Sequence, residues 1–382
     1  MTLIYIFQLE NMESTLETKE SSLNQKILVE EQVSKEKKFY KSNFFPYINK
    51  FDFNPNLAIK HKTQNQTNNL FPNFSSKEAI FNSFLNQQKT IILQRLLKET
   101  NIDTIEFIVN ELRGAYSDII KDKNGNYFCS DLIKVCDQNN RIKILEELSP
   151  TISKDCSNYY ASHTIQIFIE KASSEIEYKY ILNSFRNYNN FLTACLDPKG
   201  CYTIQKIIAC IPSKLRNDFN FIFVSFINLI SKEKFGIVVV KKFIEKTKDE
   251  NIISLIMNFI RKNFMDIAVN QYANYLIQFL LEEWSNIPEG SEIKEIVFEN
   301  FQEMCKKKYS SFICELFIKI ISAEEKKNLI KTLDLDYLLK SNNRHIIKIM
   351  TALGIFENAN KNHKIPCSLN KDYSNNNTFD KK

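Results

Sequence analysis

A five-residue window recurs eight times along this chain, and its spacing constrains the fold more than any other feature. It reads TIILQ ending at Gln94, NYFCS at Ser130, SHTIQ at Gln166, CYTIQ at Gln205, IVVVK at Lys241, NYLIQ at Gln278, SFICE at Glu315 and RHIIK at Lys348. Successive endpoints lie 36, 36, 39, 36, 37, 37 and 33 residues apart. Such a period is the mark of stacked-repeat architectures. The third and fourth window positions are apolar in nearly every copy. At about 100° per residue on a helix, the first, second and fifth positions share one narrow wedge. In NQYANYLIQFLLEE (270–283), Asn274, Tyr275 and Gln278 occupy that wedge, and Ala273, Leu276, Ile277, Leu280 and Leu281 point largely away. Immediately before the window, in most copies, stands a small or turn-forming residue: Gly125, Ala161, Gly200, Gly236, Ala273 or Ser310. There a turn must bring a new helix close to its neighbour. A further helical run precedes each window, such as IISLIMNFIRKNF at 252–264. Each unit therefore holds at least two helices and cannot bury its apolar face alone, so stacking is required.

Composition removes other classes. Six glycines in 382 residues argue against turn-rich β folds and Gly-rich phosphate loops. A hydrophobic content of 43% supports a sizeable core. The net charge of +6, from 51 basic and 45 acidic residues, does not by itself demand a polyanionic partner. The nine cysteines form no CxxC pair and no zinc spacing, and read as reduced core thiols of an intracellular protein. No cleavable signal peptide is expected in MTLIYIFQLE, and no apolar run is long enough to cross a membrane. His61, His163, His345 and His363 lie in no HxxxH or HExxH pattern, and Glu282/Glu283 and Glu324/Glu325 read as solvated surface. No catalytic residue, metal site or cofactor is expected, so the chain is not read as an enzyme. Residues 1–75 and 356–382 are expected to be disordered or loosely ordered, flanking a repeat domain at 76–355. Phe44, Phe45, Phe71 and Phe74 read as composition of the first of these segments rather than as docking residues.

The repeats resemble those of the Pumilio-type (PUF) RNA-binding family. The resemblance is carried by DKNGNYFCSDLIKVC (122–136), YASHTIQIFIEKA (160–172), DPKGCYTIQKIIACI (197–211), EKFGIVVVKKFIEK (233–246), NQYANYLIQFLLEE (270–283) and KKYSSFICELFIKI (307–320). It implies an all-α, right-handed α-α superhelix, a crescent of eight three-helix repeats. The second helices would line the concave surface and hold single-stranded RNA, with one base read per repeat by two or three side chains. The C-terminal repeats would read the 5′ end.

On that resemblance the first and fifth window residues touch the base edge and the second stacks between bases. Asn274 with Gln278 matches a uracil reader, with Tyr275 stacking. Ser311 with Glu315 matches a guanine reader, because a carboxylate accepts from the guanine N1–H and N2–H2; Phe312 stacks there. Cys201 with Gln205, beside Tyr202, and Ser162 with Gln166, beside His163, match adenine readers. Asn126 and Tyr127 retain half of a uracil site, with Ser130 in place of the long amide. Thr90, Ile91 and Gln94 keep only the glutamine. Ile237, Val238 and Lys241 offer neither amide pair nor ring; that base is expected to go unread, with Lys241 on a phosphate. Arg344, His345 and Lys348 would hold a base loosely, with His345 stacking, or contact phosphate. The implied target is 5′-N-G-U-N-A-A-N-N-3′. The expected function is binding of messenger RNA, most often in 3′ untranslated regions, by a cytoplasmic monomer that represses or destabilises its message through deadenylation or translation-repression proteins. Two other readings are a nucleolar factor on ribosomal RNA precursors and a helical scaffold for protein partners. A protein scaffold has no reason to keep the aligned aromatic and amide triplet.

Overall fold

The computed structural model describes residues 77–284 and 287–355, and all their regular secondary structure is helical. The expectations for 1–75 and 356–382 lie outside these residues. In order, the helices are α1 (Lys77–Phe84), α2 (Gln87–Glu99), α3 (Ile102–Glu111), α4 (Tyr116–Lys121), α5 (Gly125–Val135), α6 (Gln138–Leu148), α7 (Ile152–Asp155), α8 (Ala161–Lys171), α9 (Glu175–Asn183), α10 (Tyr188–Leu196) and α11 (Gly200–Cys210). They continue as α12 (Asn217–Ser225), α13 (Ile227–Ser231), α14 (Gly236–Lys246), α15 (Glu250–Ala268), α16 (Asn274–Glu283), α17 (Pro288–Met304), α18 (Ser310–Ile320), α19 (Ala323–Thr332), α20 (Leu335–Lys340) and α21 (Arg344–Ala352).

Each window lies at or near the start of one helix. The eight window helices α2, α5, α8, α11, α14, α16, α18 and α21 pack one on the next in an unbroken row. The first helices of the modules form a second layer, in which α3, α6 and α9 pack in sequence, as do α12, α15 and α17. The fold is thus a helical solenoid, its core sandwiched between the two layers. Phe128, Phe168, Phe223, Phe243, Phe301 and Phe317 fill that core, with the Phe223 and Phe243 rings stacked at 4.1 Å between centroids.

Three-helix modules are not uniform. A short middle helix is present as α4, α7, α10, α13 and α20. In α15 the break is reduced to a kink at Asn263 (φ −123°, ψ 15°), where the Asn263 side chain donates to Phe259 O. In α17 the first and middle helices run on as one, and α1–α2 is a two-helix unit. Side-chain caps set many of the boundaries. Ser174 with Glu177 and Ser322 with Glu325 form capping boxes, and Asn101, Asp137 and Asn187 cap α3, α6 and α10, satisfying amides that have no partner inside the helix.

The residue before the window sits where the new helix crosses the end of the preceding short one. A Cβ at Gly125 would lie 2.8 Å from Ile119 O, and one at Gly200 would lie 2.7 Å from Ala194 O. At Gly236 it would run into Ile230 O. Each carbonyl lies six residues back, and in the α18 module the Ser310 hydroxyl donates to the equivalent Met304 O at 2.7 Å. Gly236→Ala is therefore expected to destabilise the domain by ~1–3 kcal/mol through overpacking, read as a lowered urea midpoint. An unchanged midpoint would show that the crossing has slack.

Candidate nucleic-acid interface

Five of the eight window helices share a start device that the hydrophobic pattern does not reveal. Four residues before the window's first position stands Asn86, Asp122, Asn158, Asp197 or Asn270. Its side-chain oxygen accepts from the backbone N–H groups two and three residues later. This Asx turn orients the helix start and so aims the next five side chains in register.

From α5 to α18 the windows repeat one burial pattern. The first, third and fourth positions are buried, the second is exposed, and the fifth is half-buried except for the buried Ser130. The second-position residues Tyr127, Tyr202, Tyr275 and Phe312 are 41–56% exposed, with His163 exposed among them. Tyr127 and His163 have ring centroids 6.5 Å apart, close to twice the ~3.4 Å rise of stacked bases. Burial and Lys134, opposed by Asp131, lower the His163 pKa, so its ring is neutral at pH 7. The row is interrupted only at Val238, which is exposed without being aromatic.

The first position differs from its expected place on an open face. Asn126, Ser162, Cys201, Asn274 and Ser311 are at most 3% exposed, because the neighbouring window helix packs against that edge of the wedge. Their polar groups are held locally. Asn274 Nδ2 donates to Asn270 O at 2.8 Å, Asn126 Nδ2 to Asp122 O and Lys123 O, and Ser311 Oγ to Lys308 O. Burial first, then Asp197, pushes the Cys201 thiol up to about 11, so it is protonated at pH 7.

In three slots the first residue clamps the fifth. Gln278 Nε2 donates to Asn274 Oδ1 at 2.7 Å, Gln166 Nε2 to Ser162 Oγ at 3.0 Å, and Gln205 Nε2 to Cys201 O at 3.3 Å. Each glutamine thereby keeps a fixed pose at the half-buried rim, with its carbonyl oxygen and second N–H available. These are donors and acceptors of the kind that distinguish base edges.

At the ends the modules engage each other. Gln94 Nε2 donates to Asp131 Oδ2 at 2.7 Å. Ser130 Oγ lies 3.1 Å from Thr164 Oγ1, turned into the contact between α5 and α8. Thr90 bonds to Ser83 O and Asn86 O. Ile237 is buried, and the Lys241 ammonium stands 4.9 Å from the Phe279 ring centroid. Arg344 is exposed and His345 half-buried. The Lys348 ammonium is 2.7 Å from Glu315 Oε1. Among the described residues no group of three or more His, Cys, Asp or Glu side chains could hold a metal ion.

A family model described as the Pumilio-family RNA binding repeat matches residues 91–113, 116–149, 190–217 and 263–286. The chain carries Pumilio-family repeats. Pumilio homolog 12 of Arabidopsis thaliana is 23% identical over 250 residues, 63% of this chain and 40% of that protein. Suppressor protein MPT5 of Saccharomyces cerevisiae is 25% identical over 236 residues, 56% of this chain and 26% of that one. The Pumilio-like stretch thus spans two fifths or less of these relatives' length. In fold, the RNA-binding domain of yeast Puf5p bound to MFA2 RNA matches with a TM-score of 0.61 at 20% identity, over 72% of this chain and 81% of that one. PUF-8 in complex with PBE-RNA matches with a TM-score of 0.65 at 16% identity, over 77% and 87%. These matches agree with the solenoid fold.

Proposed function

We propose that this chain binds single-stranded RNA sequence-specifically along the row of second-position rings. The carrying observation is that Tyr127, His163, Tyr202, Tyr275 and Phe312 occupy the same helical position and the same exposed place in five of the six modules from α5 to α18, beside polar fifth residues held in fixed poses. Bases would stack between the rings, and each base edge would meet a fifth residue backed by the first. Gln278 with Asn274 takes uracil, Glu315 with Ser311 guanine, and Gln205 with Cys201 and Gln166 with Ser162 take adenines. Ser130 faces its neighbour and Gln94 is tied to Asp131, which leaves the 3′ slots, including that of Asn126, weakly discriminating. Lys241 and Arg344 serve phosphates. The targets are messenger RNAs carrying a G-U step followed, one base on, by A. The chain acts as a cytoplasmic monomer that brings deadenylation or translation-repression proteins to the message.

Selection from a random RNA pool is expected to enrich that pattern. Asn274→Ala/Gln278→Ala should relax preference at U, and Ser311→Ala/Glu315→Ala at G. Each change should lower discrimination by roughly ten- to a hundredfold at its own base and leave the other base unaltered. A wild-type pool with every position equally degenerate would reject the reading.

A further inference from the structure

Lys348 belongs to the C-terminal window helix α21, yet it stands over the slot of its neighbour α18. Its ammonium is 2.7 Å from Glu315 Oε1 and 5.9 Å from the centroid of the Phe312 ring. The Lys348 side chain is mostly solvent-exposed, whereas that of Glu315 is largely covered. Glu315 Oε1 is buried and takes no hydrogen bond, so the contact is an ion pair and the three N–H donors of the ammonium stay available. A base stacked on Phe312 with its edge toward Glu315 would therefore meet an acceptor and a donor side by side.

We propose that Lys348 is a third guanine-reading residue, supplied to the Glu315 slot from the adjacent module. The proposal rests on the assignment of Ser311 and Glu315 to guanine. The Watson–Crick edge of guanine carries N2–H2 and N1–H donors next to the O6 acceptor. Glu315 accepts from the two donors. Lys348, ion-paired with the same carboxylate, donates to O6, and lysine is a natural partner for that atom. Adenine reverses the polarity: its N1 acceptor would face the carboxylate and its N6–H2 donor the ammonium. The pair thus rejects adenine at both atoms, whereas a carboxylate alone rejects it at one. Lys348 also neutralises a carboxylate that would otherwise meet the phosphates of an approaching RNA. This departs from a phosphate role for Lys348, since an ammonium directed at the backbone would act alike on all four bases.

The test compares wild type, Lys348→Met and Lys348→Arg on RNAs differing only at the guanine position, with G, A, U, C or 6-thioguanine. 6-Thioguanine keeps N1–H and N2–H2 but carries a poor acceptor at C6. The wild type is expected to bind the thio-substituted RNA several-fold more weakly than the G RNA. Lys348→Met should weaken the G RNA about tenfold, as for one lost charged hydrogen bond, leave the A, U and C RNAs within about twofold, and bind G and 6-thioguanine alike. Lys348→Arg should retain most of the G preference. Uniform weakening on all bases with a shallower salt dependence would overturn the proposal in favour of a phosphate contact, and so would wild-type G preference in Lys348→Met. If Ser311→Ala/Glu315→Ala also leaves G preferred, the base-reading assignment itself fails. If that double change relaxes the preference and Lys348→Met does not, only the role of Lys348 fails.

Discussion

Replacing Tyr127, Tyr202 and Tyr275 together by alanine is expected to weaken binding of the selected RNA by a hundredfold or more. Base–aromatic stacking contributes about 1–3 kcal/mol per base, so three lost rings outweigh the loss of any one base-edge contact. The three rings are half or more exposed, and their removal leaves the core phenylalanines untouched. The thermal midpoint should therefore move little, and the triple Tyr→Phe protein, which keeps the π faces, should bind nearly as well as wild type. Titration of labelled RNA at fixed salt measures the effect. A triple alanine variant that retains wild-type affinity and loses it only at high salt would show that binding is purely electrostatic. The ring row would then be no base platform.

Much of this arrangement could be read from the residues. The window spacing located every helix of the inner row, because a periodic apolar pair at the third and fourth positions has to meet the same neighbour in each module. Val238 was visible as a gap in the ring row for the same reason. The burial of Asn274 and Ser311 was not visible, since a helical wheel knows nothing of the adjacent helix that covers one edge of the wedge. Ser130 turns to Thr164, and Gln94 to Asp131, through contacts 34 and 37 residues away in sequence. No local pattern encodes such pairs. The Asx residue before five of the eight windows stands in plain sight at 86, 122, 158, 197 and 270. It falls in a turn, however, where hydrophobic periodicity carries no information. The unbroken α17 is not legible in the sequence: Gly114 and Pro150 stand at the breaks α3–α4 and α6–α7, but α9–α10 and α12–α13 break with neither residue. The Lys348–Glu315 pair spans 33 residues and forms only where two modules meet.

The largest expected loss of stability lies away from the ring row, at Glu177. Its side chain is fully buried, and it receives Arg141 Nε at 2.8 Å, the backbone N–H groups of Ser173 and Ser174 at 3.0 Å, and Ser174 Oγ at 2.8 Å. Arg141, itself only 11% exposed, also donates to Cys136 O and Ser173 Oγ. The pair ties the start of α6 to the start of α9 in the next module. Glu177→Ala leaves a buried guanidinium without its counter-charge and two cap amides without an acceptor, and should cost about 3–5 kcal/mol, read from urea denaturation. Arg141→Ala/Glu177→Ala should cost less than the two single changes summed, since neither charge is then stranded. Burial raises the Glu177 pKa, but hydrogen bonds from Arg141, Ser173 and Ser174 outweigh it and hold the net value below the usual 4.5. The unfolded chain therefore binds the extra proton between the usual and the depressed values. The stabilisation is complete above about pH 4.5 and is lost as pH falls through the lower, folded value. Wild type should lose stability across that acid range faster than Glu177→Gln, which has no proton to take up there. Parallel pH profiles for the two proteins would show that the ionised form of Glu177 contributes nothing to holding these modules together.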